Sequence, residues 1–193
     1  MLNFKRPESL QFPQVYEKFS AKDKNTGEIV EYRIQDIPEE YYEETANLLT
    51  QFMLADEPFC SGMQFQTNPT ATKIMRAHWS ELIKQKFSVG CFKNDELVGF
   101  NVLVVYSKDD PKKEKVTYDD EKINVFFEFF DYVSKTHNIF DVYKVDKYLG
   151  AFGLLVHPNY RGLGIATKLL KARVPIMKAL NLTVTSTPFS PIG

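Results

Sequence analysis

Between Gly153 and Ala179 the chain reads GLLVHPNYRGLGIATKLLKARVPIMKA, and this stretch constrains the fold more than any other. An apolar run gives way to a tight turn at Pro158-Asn159-Tyr160, then to Arg161-Gly162-Leu163-Gly164-Ile165-Ala166, then to a helix rich in Leu and Lys. A glycine-bearing loop between a strand and a helix gathers unpaired backbone N–H groups and the positive end of the helix macrodipole at one point, which suits a phosphate or pyrophosphate. The charge pattern agrees. From Ala151 to Gly193 there is no Asp or Glu but five cations, Arg161, Lys168, Lys171, Arg173 and Lys178, in a chain of net charge -1. Such one-sidedness suits an anionic ligand. The alternative is a solvated basic helix whose lysines serve solubility.

The same glycines admit a dinucleotide-binding reading. It is weakened because Gly162-x-Gly164-x-x-Thr167 lacks the third glycine of that fingerprint, and no acidic residue follows about 20 residues on to hold a ribose. Arg161 to Ala166 after an apolar strand instead resembles the Gln/Arg-x-x-Gly-x-Gly/Ala signature of the GNAT N-acetyltransferase superfamily. The resemblance implies acetyl-coenzyme A as co-substrate. It implies that the amides of Arg161, Gly162, Leu163, Gly164, Ile165 and Ala166 grip its pyrophosphate, and that Leu154, Leu155 and Val156 pair through their backbone with its pantetheine arm.

A length of 193 residues, 44% hydrophobic and 25% charged, suits one domain with a substantial core. The 14% aromatic share, with 16 Phe and 10 Tyr, favours strands, core or an aromatic-lined pocket. Near-neutral charge argues against general nucleic-acid binding. No apolar run approaches the roughly 18 residues of a membrane span, and the start MLNFKRPESLQF lacks the apolar centre of a signal peptide. These features point to a cytoplasmic protein without membrane or nucleic-acid partners. They leave the oligomeric state open. Cys60 and Cys91 lack metal-ligand spacing and read as free thiols, and the scattered His78, His137 and His157 form no metal set.

Along the chain, residues 1–26 carry Pro7 and Pro13 without a sustained period, so they are expected to form a loosely docked arm ahead of a single domain over 27–193. Alternation from Glu28 to Ile37 predicts a strand. Pro38 then opens a helix with Leu48, Leu49, Phe52 and Met53 on one face, ending at Ala55-Asp56-Glu57-Pro58. The spacing predicts a loop after Pro58, a helix over 71–84, a hairpin of 87–92 and 97–106 turning at Asn94-Asp95, a charged excursion over 107–115, and a helix over 119–135. A long strand over 144–156 follows, with the low-bulk positions Gly150, Ala151 and Gly153. Pro175 is expected to kink or end the next helix near Val174, before a final strand reaching Thr187.

This order of elements resembles the GNAT fold over about 28–187. The fold class is therefore α/β (α+β): a mixed central sheet flanked by helices. GNAT folds normally continue past their fifth strand into a helix and two strands. A chain stopping at Gly193 is expected to lack them, so that it is either a truncation or isoform, or has its sheet completed by a partner.

An acyl transfer to an amine requires a group that takes the amine's proton. Asp56-Glu57-Pro58 resembles the DEP segment of insect arylalkylamine N-acetyltransferases, which implies that Glu57 deprotonates the amine through water. The same enzymes carry two serines four residues apart after the fifth strand, which implies a catalytic or positioning role for Ser186 and Ser190. A polar turn around Pro188 and Pro191 is the alternative. His157 and Tyr160 are secondary candidates for proton transfer, and Phe59 and Phe65 for pocket walls. The resemblance thus implies acetylation of a small arylalkylamine. Two readings stand beside it: an acyl-coenzyme A or partner-binding module without turnover, and an acetyltransferase acting on protein amines.

Overall fold

The computed structural model describes residues 2–24, 26–111 and 116–188. Alternating apolar and polar residues in IVEYRIQD put Tyr32 and Ile34, both fully buried, on one side of a strand, β2 (Ile29–Asp36). The preceding residues are not a loose arm. Val15–Lys22 forms β1 and pairs antiparallel with β2 along its length. Ahead of it, the Arg6 guanidinium holds the fully buried Asp36 carboxylate at 2.8 Å, and Tyr16 donates to the same carboxylate at 2.7 Å. A period-based reading misses β1 because its alternation is of half-buried and exposed positions, with almost no apolar face to see.

β3 (Val89–Lys93) and β4 (Glu96–Ser107) form the expected hairpin, with Asn94 at φ +53° in the tight turn. β5 (Lys147–Val156) lies on the far side of β4. Among the described residues the five strands lie in the order β1-β2-β3-β4-β5, each neighbouring pair antiparallel. The expected final strand is reduced to one parallel bridge between Leu149 and Thr185. There the Leu149 N–H donates to Val184 and its carbonyl accepts from Ser186 N–H, both at 3.0 Å.

One face of the sheet is covered by α1 (Tyr42–Leu48), α2 (Leu54–Asp56), α3 (Pro58–Gly62), α4 (Pro69–Ile83) and α5 (Glu121–Thr136). α1 runs into α2 through a π-helical turn, Leu49–Met53, that turns Leu49 into the core. α4 starts two residues earlier than its apolar spacing indicates. Pro69 occupies its first position, and the Asn68 side chain accepts the Thr70 and Ala71 N–H groups at 3.1 Å. A short helix α6 (Ile139–Tyr143) leads into β5.

α7 (Ile165–Lys171) and α8 (Arg173–Ala179) cover the opposite face with Ile165, Leu169 and Ile176. The irregularity expected near Val174 falls at Ala172. The Pro175 ring bears on the carbonyl four residues earlier, at Lys171, so the helix breaks one turn upstream and Pro175 sits in the first turn of α8.

Candidate active site

The end of β5 and the loop after it form one side of the site. Leu154, Leu155 and Val156 pair with Asn101, Phe100 and Gly99 of β4, and β5 is the last strand of the sheet among the described residues. Beyond the Leu149 bridge, which is parallel, no further pairing joins the outer edge of β5 to the described residues past Thr185, 186–188, and a wedge opens there. The register shifts between Asn101 and Leu103, opposite Gly153 at φ +127°. Buried side chains pin this bulge. The Asn101 amide donates to the Gly153 carbonyl at 2.8 Å, and the Trp79 indole donates to the Phe152 carbonyl at 3.0 Å. A β-carbon on Gly153 would stand 3.1 Å from Leu49, so the low bulk expected there serves the π-helical turn packed against it.

The loop is built on two glycines. Gly162 (φ +80°) and Gly164 (φ +74°) hold left-handed conformations costly for other residues, and Gly164 starts α7. The N–H groups of Ile165, Ala166 and Thr167 lie in the first helical turn, where the helix supplies no acceptor. Gly99 lets this helix approach the sheet, because a β-carbon there would meet Leu155 O at 3.0 Å and Ile165 at 3.3 Å. The cations are dispersed, unlike the single anion-facing surface that their clustering in sequence suggests. Lys168 pairs with Glu17 and lies over Phe19, Arg173 is buried, and Lys171 and Lys178 are exposed.

Arg161 joins this side to the other. Its Nε donates to the Val156 carbonyl at 3.0 Å, and its Nη2 meets Asp56 Oδ2 at 2.5 Å. Asp56 ends α2, and Glu57 follows as the N-cap of α3, its Oε2 accepting the Cys60 N–H at 2.7 Å. Burial, and then the adjacent Glu57 carboxylate, push the Cys60 thiol pKa up, so it stays neutral. The segment after Pro58, expected as a loop, is thus a capped turn of helix that presents Phe59.

Phe59 stacks on Phe126 of α5 at 5.4 Å and contacts Phe129 and Phe130 at 5.1 and 6.3 Å. Phe129 remains 48% exposed, so this aromatic group reaches the surface. Phe65 does not wall a pocket. It is fully buried in the core against Phe126. Ser186 lies half-buried at the Leu149 bridge, at the closed end of the wedge, and Ser190 lies outside the described residues. The His157 ring rests between Phe52 and Tyr160, with Nδ1 toward the Asn159 N–H at 3.4 Å. Tyr160 donates to Glu96 at 2.7 Å, and burial, then that carboxylate, push its pKa up to about 12, which suits it poorly to proton exchange.

Sequence reasoning missed Trp79 and Asn101, and counted Arg173 among five cations without its burial. Asn101 left a signal, a lone polar residue within LVGFNVLVVY, whereas Arg173 is indistinguishable in sequence from the exposed cations around it. Among the described residues no group of His, Cys, Asp and Glu could hold a metal ion, and no helix is long and apolar enough to cross a membrane.

Residues 34–187 match the Acetyltransferase (GNAT) family. The chain belongs to this family. No curated protein matches it. Among solved structures, an insect protein bearing the provisional name arylalkylamine N-acetyltransferase 7, from the yellow fever mosquito Aedes aegypti, is 34% identical, with a TM-score of 0.90 over 97% of this chain and 79% of that one. Arylalkylamine N-acetyltransferase 2 of the same mosquito is 21% identical, with a TM-score of 0.75 over 81% and 74% of the two chains. A Drosophila melanogaster polyamine N-acetyltransferase that forms N-acetylagmatine is 14% identical, with a TM-score of 0.70 over 81% and 75%. The last two, at such low identity, speak to the fold alone. Of the three, only the likeness at 34% identity goes beyond the fold.

Proposed function

We propose that the chain transfers an acetyl group from acetyl-coenzyme A to a small primary amine of the arylalkylamine type, with Glu57 as general base through water. The observation that carries the reading is the Arg161–Asp56 contact at 2.5 Å, which draws the glycine loop and Glu57 to one place although 105 positions separate the two partners. The residues present fit the coenzyme. First-turn N–H groups at the loop suit a pyrophosphate, and the outer edge of β5 suits an extended arm bearing amides. Acetyl-coenzyme A supplies an activated thioester carbonyl. In this reading Arg161 to Ala166 hold its diphosphate, and Leu154 to Val156 orient the arm by backbone pairing. The Gly153 bulge, pinned by Asn101 and Trp79, keeps the edge fixed. Glu57 keeps one oxygen on its own helix cap and offers the other to a water that takes the amine proton. Phe59, with Phe126, Phe129 and Phe130, supplies the apolar wall an arylalkylamine requires. Ser186 and Ser190 assist in holding the substrate.

The likeness to the mosquito protein at 34% identity supports an arylalkylamine over other amines. The test is thiol release from acetyl-coenzyme A with tyramine, dopamine, serotonin, agmatine and polyamines. Turnover of the arylalkylamines is expected. Acetyl-coenzyme A binding by calorimetry without turnover of any amine would replace the enzyme reading with that of a binding module.

A further inference from the structure

Arg173 is buried, 6% exposed, at the start of α8. Its Nε donates to Asn101 Oδ1 at 2.9 Å, and Asn101 in turn holds the Gly153 carbonyl of β5. Its Nη1 donates to Thr187 Oγ1 at 3.0 Å, on the other side of the wedge. The guanidinium therefore bridges both walls of the opening just beyond the Leu149–Thr185 bridge. Its Nη2 is buried with no hydrogen-bond partner. The guanidinium is a planar fork, with Nη2 set at equal angles from the two nitrogens that hold Asn101 and Thr187. A buried charge ordinarily has a carboxylate partner. This one has none among the described residues, and its pKa is lowered by burial alone.

We propose that Arg173 is the sulfur-end anchor of the coenzyme wedge, its free Nη2 receiving the negative charge that collects on the coenzyme's sulfur when the thiol departs. The proposal rests on the acetyltransfer reading above. In that reaction the amine nitrogen bonds to the acetyl carbon, the carbon–sulfur bond breaks with its electron pair passing to sulfur, and Glu57 takes the amine proton through water. A thiolate is left, needing either a proton or a counter-charge. With the diphosphate at Arg161 to Ala166 and the arm along Val156 to Leu154, the sulfur end points toward Gly153, where Arg173 waits. Lys168 of α7 and Glu17 of β1, on the same face, are paired with each other, and the buried Cys91 thiol of β3 stays protonated. His157 lies at the far end of β5, against Phe52.

Calorimetry of the whole chain with coenzyme A and with desulfo-coenzyme A tests this, the second ligand subtracting every titration of the protein that the two share. A cation within about 4–6 Å lowers a thiol pKa by about one unit or more. The wild-type preference for coenzyme A over the desulfo analogue should therefore grow, by about tenfold in all, as pH rises through the pKa of the bound thiol, and level off above that of the free thiol. Arg173→Met should abolish that growth while still binding the desulfo analogue, and Arg173→Lys should retain part of it. Arg173→Gln takes the place of the Met variant if that fails to fold. A preference that does not change with pH in the wild type, or one that persists in the Met or Gln variant, overturns the proposal. Failure of the wild type to bind either ligand overturns the acetyltransfer reading itself, and the two results are distinct.

Discussion

The two walls of the proposed site, one assigned to the coenzyme and one to the amine, are made differently. The coenzyme wall is backbone: an open strand edge, two glycines with positive φ and the first turn of a helix, all within residues 153–167. The amine wall is side chains: Glu57 from the α2–α3 junction, Phe59 from α3, and Phe126, Phe129 and Phe130 from α5, which come together only because both elements pack on one face of the sheet. A backbone wall recognises what all acyl-coenzyme A esters share, whereas a side-chain wall can be altered residue by residue to change the acceptor. Arg161 and Asp56 connect the two across about half-exposed surface.

The sharpest break should come at Glu57. Glu57→Gln is expected to lower kcat by about 10² or more with acetyl-coenzyme A affinity unchanged. Because Glu57 also caps α3, the substitution should cost about 1 kcal/mol of stability as well. Thiol-release kinetics alongside a melting curve separate the two effects. Next in size is the opposite wall. Gly164→Val meets no neighbour, since a β-carbon there has nothing within 4 Å. It must still force a β-branched residue to positive φ, at a cost of about 1–2 kcal/mol, with acetyl-coenzyme A binding weakened about tenfold in calorimetry. An equal loss of amine affinity in that variant would mean the two walls are not separable.

Phe59→Ala should raise KM for an arylalkylamine about fivefold, the scale of lost aromatic pairing, and leave KM for acetyl-coenzyme A alone. Aliphatic polyamines should barely register the change. The smallest effect is expected at the link. Asp56→Asn removes a half-exposed ion pair and should shift stability by under about 1 kcal/mol, a difference that shrinks further in high salt. A large loss of kcat there would show instead that the link carries the geometry of the base.

Much of the coenzyme wall was legible in the sequence because its conformations are local. Gly162 and Gly164 announce positive φ, and the apolar run before them announces a strand. The Glu57 N-cap was half legible: Pro58 marked the end of one helix but also opened the next, and a proline alone does not say which. β1 was invisible because its register is fixed by the β2 backbone and by the Arg6 grip on Asp36, not by an apolar face of its own. Phe65 was misjudged for a related reason. Phe59 and Phe65 are the same residue type in one short stretch, and only packing against α5 decides that one is buried and the other is half-open.

By itself the sequence determined the glycine loop, the strand feeding it, most of the helices and the tripeptide that carries Glu57, since each follows from φ preferences, period or a proline within a few residues. The tertiary structure alone decided that the five strands pair antiparallel, that Asp56 meets Arg161, and that Arg173, unlike the other four cations, is buried, with no carboxylate partner among the described residues. Those outcomes depend on which distant surfaces meet, and the free energy that selects them comes from burial across the whole core.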